Sequence, residues 1–371
     1  MKPSKGLGPK SCEPASPLGH GSPTRGATYR AGVWLGENRL EVVERPIPTP
    51  GPGKVLLGTK VAGICGTDLH ILSGKHPEAK PPLVPGHEFA GVVADVGEGV
   101  DRNLIGARVG ADSYVSCGDC KYCRTKRSQL CEKGPRELGI NLDGGWADCV
   151  VVPVENLYRL PEEVSFLEAG AGCILNCPMA AIEKVKVEPG DVVLIIGDGP
   201  SSLIMIQLAL LKGASKVIVV GHRERRLSLA VEFGAYKAIN THTEDLREFI
   251  EEFAGTPQVV IDAVGKAETL ALALSVAGRE ARVHLFGLPE GPMDGLPLDI
   301  LLFKELTVVS STGAPSLWPT AMDYLCRGHL QVAPIISHSF PIEKAPETLD
   351  YIRDNPKEIV KAVFEMGGGP A

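Results

Sequence analysis

Four cysteines stand close together in one short stretch of the chain, at Cys117, Cys120, Cys123 and Cys131. Gly118 and the residues around Tyr122 allow tight turns between them, so four thiolates can converge on one metal ion. A site closed by four sulfurs leaves no position for a substrate, and we expect it to stabilise a loop. Two disulfides are the alternative. They are less typical of a chain of 371 residues that begins without a signal-peptide core.

A second group of residues could hold a catalytic metal ion, which needs three protein ligands and one open position. Cys65 and His87 lie in glycine-rich segments with the character of loops. Cys173 lies just before a helical pattern that leads into the second half of the chain. A cleft between two domains would open there, so these three residues are candidate ligands.

The apolar segment Val192–Ile196 runs into a glycine-containing turn, and a helical pattern follows. Such a turn lets a pyrophosphate approach main-chain N–H groups at a helix N-terminus, where the helix dipole favours an anion. An ordinary structural turn is the alternative, but the order of strand, turn and helix favours dinucleotide binding. The residues predicted to bind the cofactor here are Gly197, Gly199, Pro200, Ser201 and Ser202, the last replacing the third glycine of the usual pattern.

The next apolar strand, Val217–Val220, ends without the acidic residue that would accept a hydrogen bond from the ribose 2′-hydroxyl of NAD. Arginines follow instead, and they could bind a 2′-phosphate as charged donors. We therefore predict NADP(H) in preference to NAD(H). Alternatively, the arginines form a solvated first helical turn paired with Glu224. The predicted contact residues are Gly221, His222, Arg223 and Arg226, with Arg225 as a further candidate.

The patterns around these sites predict two kinds of domain. From Thr28 to about Asn176, short apolar runs broken by Gly and Pro indicate an irregular β domain. From Pro178 onward, continuous apolar strands alternate with helical spacing, which indicates a parallel sheet covered by helices on both faces. We predict a β-rich catalytic domain over residues 27–176 and 314–371, with a metal lobe at about 112–135, and a dinucleotide-binding domain over 177–313.

Composition excludes several classes of function. A net charge of −7 and a pI of about 5.8 argue against nucleic-acid binding, which normally requires a basic excess. The uncharged stretch Gly199–Leu211 is too short to cross a bilayer. We expect a cytoplasmic protein that does not bind membranes. Residues 1–26 are rich in Ser, Pro and Gly and are interpreted as a flexible tail, with an organelle-targeting leader as the alternative.

The chain resembles the zinc-containing medium-chain dehydrogenase/reductase family, which includes alcohol, sorbitol and threonine dehydrogenases. The resemblance runs from about Ala27 to the C-terminus. It implies an α/β fold, with a discontinuous GroES-like catalytic domain and a Rossmann domain built on a doubly wound parallel sheet, assembled as a homodimer or homotetramer. Its carriers are Gly63-Ile64-Cys65-Gly66-Thr67-Asp68-Leu69-His70, Pro85-Gly86-His87-Glu88, the four-cysteine lobe, Asp143-Gly144-Gly145-Trp146-Ala147 and the turn at Gly197.

The resemblance also implies roles for individual residues and two zinc ions per chain, one catalytic and one structural. Cys65, His87 and Cys173 match the catalytic zinc ligands, and Cys177 is the rival for the third position. Some members of the family have a glutamate at this position. The remaining matches are Glu88 as a carboxylate that can approach the metal, Asp68 as the acid that orients His87, Thr67 as the substrate-binding hydroxyl and His70 as the outer end of a proton relay.

These features predict an oxidoreductase that transfers a hydride reversibly between NADP(H) and a secondary alcohol, polyol or cyclitol. Gly66 favours this substrate class because it matches the sorbitol-like form of the motif. One alternative is an NAD(H)-dependent threonine- or sorbitol-type dehydrogenase. Another is a catalytically silent binding protein of the same fold, which would be expected to have damaged zinc ligands. None of the matched zinc ligands is replaced in this sequence.

Overall fold

The computed structural model describes residues 27–252, 255–289 and 291–367. The predicted flexible tail, residues 1–26, lies outside the described residues, as do residues 368–371 of the predicted catalytic domain.

The first part of the described chain consists mainly of short strands. The strands are β1 (Thr28–Trp34), β2 (Leu40–Pro46), β3 (Lys54–Ile64), β4 (Phe89–Val96), β5 (Arg108–Ala111), β6 (Tyr114–Val115), β7 (Arg136–Glu137), β8 (Cys149–Pro153) and β9 (Leu157–Arg159). The helices are short: α1 (Gly66–Leu72), α2 (Lys121–Arg124) and α3 (Phe166–Gly170). Single 3₁₀ turns cover Arg102–Leu104, Ser128–Leu130 and Val154–Asn156.

The middle part alternates strands and helices. Its helices are α4 (Cys173–Val185), α5 (Pro200–Leu211), α6 (Glu224–Glu232), α7 (Leu246–Glu252), α8 (Ala267–Val276) and α9 (Asp299–Phe303). Its strands are β10 (Val192–Ile196), β11 (Lys216–Gly221), β12 (Lys237–Asn240), β13 (Val259–Asp262), β14 (Arg282–Leu285) and β15 (Thr307–Ser310). All six pair in parallel in the order β12-β11-β10-β13-β14-β15. The central strands are buried on both faces, which explains their continuous apolar sequences.

The last part contains α10 (Trp318–Cys326), β16 (Ile336–Pro341), α11 (Ala345–Asp354) and β17 (Lys361–Glu365), with 3₁₀ turns at Pro315–Leu317, Ala333–Ile335 and Ile342–Lys344. The pair β16 and β17 joins the first sheet, because β17 runs antiparallel to β3 with Phe364 opposite Ala62. The sheet order is β16-β17-β3-β4-β5-β9, and β8 also pairs with β3. Trp146 and Phe364 pack edge to face at 5.0 Å in its core.

The predicted fold class is therefore confirmed, with a β-rich unit and a doubly wound parallel sheet in one chain. In the parallel sheet the strand order reverses between β10 and β13. Ligands of such sheets bind outside the carboxyl ends of the strands at this switch point. The glycine-containing turn that follows β10 lies there.

Candidate active site and metal centres

Cys65, His87 and Glu88 come together at one end of the first sheet. Cys65 directly follows β3, and His87 and Glu88 directly precede β4. Since the two strands are antiparallel neighbours, the end of β3 lies beside the start of β4. One ligand atom from each of the three residues lies within 4.8 Å of the others. A thiolate, an imidazole and a carboxylate are all zinc ligands, so this donor set fits a zinc ion.

Asp68 holds two of these residues in place. Its fully buried carboxylate accepts the backbone N–H of Cys65 through Oδ2 at 2.7 Å, and Oδ1 lies 3.3 Å from Nδ1 of His87. The ring nitrogen Nε2 of His87 lies on the side of Glu88, 3.9 Å from Oε1. This is the arrangement in which a carboxylate fixes the tautomer and orientation of a metal-binding imidazole.

Lys361 is a member of this site that the sequence reasoning missed. Its ammonium donates to Oε1 of Glu88 at 2.7 Å, and both side chains are buried. Among the described residues, none donates a hydrogen bond to Oε2 of Glu88. A Cβ at Gly63 would lie 2.1 Å from that oxygen, so the glycine makes room for the carboxylate. The signal in the sequence is weak, namely one lysine within the apolar strand β17.

Burial and charge shift the titration of the two buried members of the cluster. Burial opposes a charged His87, but Asp68 and Cys65 together outweigh it and raise the pKa of His87 well above its ordinary value. Burial raises the pKa of Glu88 to about 7, against the opposing effect of the Lys361 ammonium. A metal ion must displace protons from such ligands, so its binding to this site is expected to depend on pH.

Thr67 and His70 lie on α1, three residues apart and therefore on neighbouring positions of one helix face. Oγ1 of Thr67 lies 3.8 Å from Sγ of Cys65, at the edge of the cluster. His70 lies in the last turn of α1 and is half-buried. Helix α1 thus links the cluster to the surface through two polar side chains.

The candidates for a third protein ligand both lie on α4, which begins at Cys173. The side chain of Cys173 lies outside what the structure describes. Cys177 lies one turn further along, and its Sγ donates to the carbonyl oxygen of Thr312 at 2.9 Å. Within the described part of the chain, Cys177 does not belong to the group that Cys65, His87 and Glu88 form.

The four predicted lobe cysteines also converge. The sulfurs of Cys117, Cys120, Cys123 and Cys131 all lie within 4.8 Å of one another, around helix α2. Four sulfurs at such separations fit tetrahedral zinc, whose bonds to sulfur are about 2.3 Å long. Two backbone N–H groups point at sulfurs, that of Cys117 at Cys123 and that of Cys123 at Cys120.

These N–H groups favour negatively charged sulfurs. The backbone hydrogen bond from Cys123 is the main reason why the pKa of Cys120 falls to about 6. Cys117 behaves in the opposite way, since its thiol donates to Asp119 at 2.9 Å and this bond raises its pKa to about 12. Binding of a metal ion to the lobe is therefore expected to release a proton from Cys117.

The turn after β10 has the shape of an anion-binding cradle. Gly197 adopts a φ of +120°, which favours glycine, and Gly199 caps the N-terminus of α5. Among the described residues, no atom lies within 4 Å of a Cβ built at Gly199, so the space in front of the helix is open. Pro200 and Ser201 form the first turn of α5, and Ser202 packs fully buried against the sheet. A pyrophosphate fits this arrangement.

The arginines that follow β11 differ in their surroundings. Arg223 is half-exposed and its Nη1 lies 3.0 Å from Oδ1 of Asp198. Arg226 is largely buried and donates through Nη2 to the carbonyl oxygen of Ile359, in the segment before β17. Arg225 is exposed and donates to the carbonyl oxygen of Glu358. Arg223 is thus the arginine whose side chain remains open beside the glycine turn.

Comparisons with known proteins agree with this geometry. Residues 51–162 match the model of the alcohol dehydrogenase GroES-like domain, and residues 202–327 match that of the zinc-binding dehydrogenases. The chain is 36% identical to the starvation-sensing protein RspB of Escherichia coli K12, over 88% of this chain and 96% of that protein. The chain belongs to the zinc-containing medium-chain dehydrogenase/reductase family.

Two further relatives in this family carry names of activities. The chain is 31% identical to L-threonine 3-dehydrogenase of Bacillus licheniformis, over 83% of this chain and 90% of that protein. It is 32% identical to sorbitol dehydrogenase of Arabidopsis thaliana, over 83% of this chain and 87% of that protein. The predictions of the family and of a zinc-type, NAD(P)-dependent alcohol or polyol dehydrogenase are confirmed.

Two solved structures of the family resemble this one. The rspB protein of Escherichia coli CFT073, described as a short chain alcohol dehydrogenase in complex with NADH, superimposes with a TM-score of 0.86 at 32% identity, over 92% of this chain and all of that one. A zinc-binding dehydrogenase of Sinorhizobium meliloti 1021 bound to NADP gives 0.83 at 31% identity, over 91% and 99%. Within the described residues, no helix of this dehydrogenase is long and apolar enough to cross a membrane.

Proposed function

We propose that this dehydrogenase transfers a hydride between NADP(H) and a secondary alcohol, polyol or cyclitol, in either direction. The observation that carries the proposal is the convergence of Cys65, His87 and Glu88 at one end of the first sheet. A buried lysine, Lys361, and a buried aspartate, Asp68, contact these residues. Buried ionisable groups of this kind are typical of catalytic metal sites, where they orient the ligands and adjust their pKa values.

The proposal assigns Cys65, His87 and a cysteine of α4 as protein ligands of the catalytic zinc, with Cys173 preferred to Cys177. When bound, zinc acts as a Lewis acid that makes an alcohol oxygen more acidic or a carbonyl carbon more electrophilic. Glu88 is held by Lys361 next to this position and can approach the metal when ligands exchange. The four lobe cysteines would hold a second, structural zinc ion.

The chain's own residues would move the substrate proton. Thr67 lies at the edge of the cluster, so its hydroxyl would accept the proton of a substrate hydroxyl while it releases its own proton to a relay that ends at His70. His70, half-buried at the far end of α1, would exchange this proton with solvent. When bound, a nicotinamide cofactor would supply the acceptor or donor of the hydride.

The preference for NADP(H) is supported by the end of β11. Gly221 offers no acid to a ribose 2′-hydroxyl, and Arg223 offers a partly exposed guanidinium next to the glycine turn. Guanidinium groups bind phosphate through two donors in a fixed geometry. The relatives of known structure include one bound to NADH and one bound to NADP, so an NAD(H)-dependent enzyme is the alternative.

For the substrate, the alternative is an amino alcohol. Both an L-threonine 3-dehydrogenase and a sorbitol dehydrogenase are among the relatives, at similar identity. We favour a polyol or another secondary alcohol because Gly66 gives the sorbitol-like form of the motif.

We also propose a homodimer or homotetramer. Strand β15 is the last strand of its sheet, and Val308 on this strand is exposed. Leu302 and Phe303 on the preceding helix α9 are even more exposed, at 75% and 69%. A second copy of the chain could cover these residues and pair with the strand edge. The cytoplasmic location remains a prediction.

A substrate screen tests the proposal directly. The full-length enzyme, loaded with zinc, is incubated with secondary alcohols, polyols, cyclitols and amino alcohols, each with NADP and with NAD, and formation of the reduced cofactor is followed by absorbance. The expected result is turnover of a secondary alcohol or polyol with NADP, which a chelator abolishes and zinc restores. Full activity after complete removal of metal would contradict the proposed chemistry. Turnover of L-threonine with NAD would favour the alternative.

A further inference from the structure

Asp198 lies in the middle of the glycine turn, and its side chain reaches the end of the next strand. Oδ2 accepts the backbone N–H groups of His222 and Arg223, each at 2.8 Å. Oδ1 accepts Nη1 of Arg223 at 3.0 Å and lies 3.6 Å from Nη1 of Arg226. The Asp198 side chain is only 4% exposed. One carboxylate thus ties the turn after β10 to the segment after β11.

Asp198 also fills the space beside Gly221. A Cβ at Gly221 would lie 2.4 Å from the Cβ of Asp198 and 2.5 Å from its Oδ2. A real Cβ does not make non-bonded contacts this short, so any side chain at this position would collide with Asp198 unless Asp198 moved. Gly221 ends β11, where an acidic residue of an NAD-binding site would lie. Asp198 and such an acid therefore exclude each other.

The Asp198 carboxylate has little capacity left for a ligand. Two oxygens offer about four lone-pair positions, and two backbone N–H groups and two guanidinium groups approach them. A ribose hydroxyl would have to displace one of these donors. The negative charge of Asp198 balances only one of the two guanidinium groups, those of Arg223 and Arg226, so the group of three side chains has a net charge of about +1. The Arg223 side chain is 28% exposed, so this charge is open to a ligand beside the turn.

We propose that Asp198 is a positioning residue for the 2′-phosphate of NADP(H). It holds the guanidinium of Arg223 and the neighbouring N–H groups in place, and it excludes the acidic side chain that would favour NAD(H). A fixed guanidinium loses less conformational freedom when it binds a phosphate, and the proposal requires this gain to exceed the cost of the negative charge nearby. The inference rests on the proposed preference for NADP(H), and it adds the residue that creates the preference.

Calorimetric titration of the zinc-loaded, full-length enzyme with adenosine 2′,5′-bisphosphate and with 5′-AMP tests this role without turnover. Asp198→Ala is expected to weaken binding of the bisphosphate about tenfold and that of 5′-AMP by less than about twofold. Asp198→Asn keeps an acceptor for the backbone N–H groups and should recover part of the loss. Equal weakening of both ligands, stronger weakening of 5′-AMP, or tighter binding of the bisphosphate would each overturn the proposal.

The steric part of the inference is tested by a mutant cycle, which does not depend on the cofactor preference. Gly221→Asp alone is expected to weaken 5′-AMP binding about tenfold or more, since the new side chain collides with Asp198. The double variant Asp198→Gly with Gly221→Asp should restore it, with Asp198→Gly as the matched control. If Gly221→Asp alone binds as well as the double variant, the inference is wrong. If the unmodified enzyme binds 5′-AMP as tightly as the bisphosphate, the proposed preference for NADP(H) fails, whatever the cycle shows.

Discussion

The ammonium of Lys361 lies 2.7 Å from Oε1 of Glu88, although 273 positions separate the two residues in the chain. The contact forms because β17, near the C-terminus, pairs with β3, whose end lies beside the start of β4. The side chain of Lys361 is 3% exposed and that of Glu88 is 0% exposed. The C-terminal segment therefore completes the charge balance of the candidate active site.

Lys361→Met is expected to lower the free energy of unfolding by roughly 3–5 kcal/mol, because it leaves the Glu88 carboxylate buried without its counter-charge. Urea unfolding of the zinc-loaded enzyme measures this loss. The double variant Lys361→Met with Glu88→Gln removes both charges and should regain most of the stability. A loss below about 1 kcal/mol in the single variant would show that Glu88 does not depend on Lys361.

The two candidate metal sites should respond differently to mutation of a cysteine. Cys65→Ala is expected to remove one zinc ion per chain and to lower turnover on the order of a thousandfold, with little effect on the circular dichroism spectrum. Cys117→Ser should remove the other zinc ion and lower the melting temperature first, since a closed four-sulfur site supports folding. Zinc content by elemental analysis checks both results.

Cys149 provides the matched control for these variants. It is a buried cysteine on β8 that belongs to neither cluster among the described residues. Cys149→Ala should leave the zinc content unchanged. Loss of zinc in this control, or full activity of zinc-depleted Cys65→Ala, would contradict the assignment of the clusters.

The third ligand of the proposed catalytic zinc is tested by two variants on one helix. Cys173→Ala is expected to lower zinc occupancy of the catalytic site and turnover together, whereas Cys177→Ala should keep both. The reason is that Cys177 already donates to the carbonyl oxygen of Thr312 and lies outside the cluster formed by Cys65, His87 and Glu88. Cobalt substitution provides the measurement, because the absorption of bound cobalt reports on thiolate ligands. The opposite pattern would make Cys177 the ligand.

Much of the fold could be predicted because its strands leave clear patterns. The segments Val192–Ile196 and Val259–Ile261 are apolar throughout, since both faces are covered, and both are strands of the parallel sheet. Strand β15 escaped prediction because it is an edge strand whose residues are largely exposed. Its position follows from pairing with β14, which no local pattern reveals.

The candidate site also contains residues that the sequence predicted and residues that it did not. Cys65, Asp68 and His87 were found because short motifs contain them and their side chains act near their own segment. Lys361 and Asp198 were missed because their roles depend on contacts with distant residues. Asp198 in particular is an ordinary turn residue by sequence. Only the three-dimensional structure shows that its carboxylate lies against Gly221 and Arg223.

For the cofactor, Arg223→Ala is expected to raise the Michaelis constant for NADP(H) roughly tenfold or more, and that for NAD(H) by less than about threefold. The reason is the loss of a guanidinium that a 2′-phosphate can reach and a 2′-hydroxyl does not need. Steady-state kinetics with both cofactors measure the effect. Arg225→Ala is the matched control, since Arg225 is exposed and donates to the carbonyl oxygen of Glu358. Equal effects of Arg223→Ala on both cofactors would refute a 2′-phosphate contact.

Asp112 should make stability depend on pH. Burial raises its pKa to about 7, and among the described residues Oδ2 has no hydrogen-bond donor. The folded state holds the proton of Asp112 more tightly than the unfolded state does. The contribution of this proton to the free energy of unfolding is therefore complete below pH 4 and is lost as the pH rises towards 7. Asp112→Asn cannot ionise and keeps an acceptor for the backbone N–H of Tyr114, which Oδ1 accepts at 2.7 Å.

The variant should therefore gain stability relative to the unmodified enzyme as the pH rises from 4 to 8, by roughly 4 kcal/mol. Urea unfolding of both proteins at several pH values measures the difference. Above pH 8 the difference should stay constant, because Asp112 is then ionised in both the folded and the unfolded state. A stability difference that is the same at pH 5 and pH 8 would mean that the Asp112 carboxyl titrates in its ordinary range.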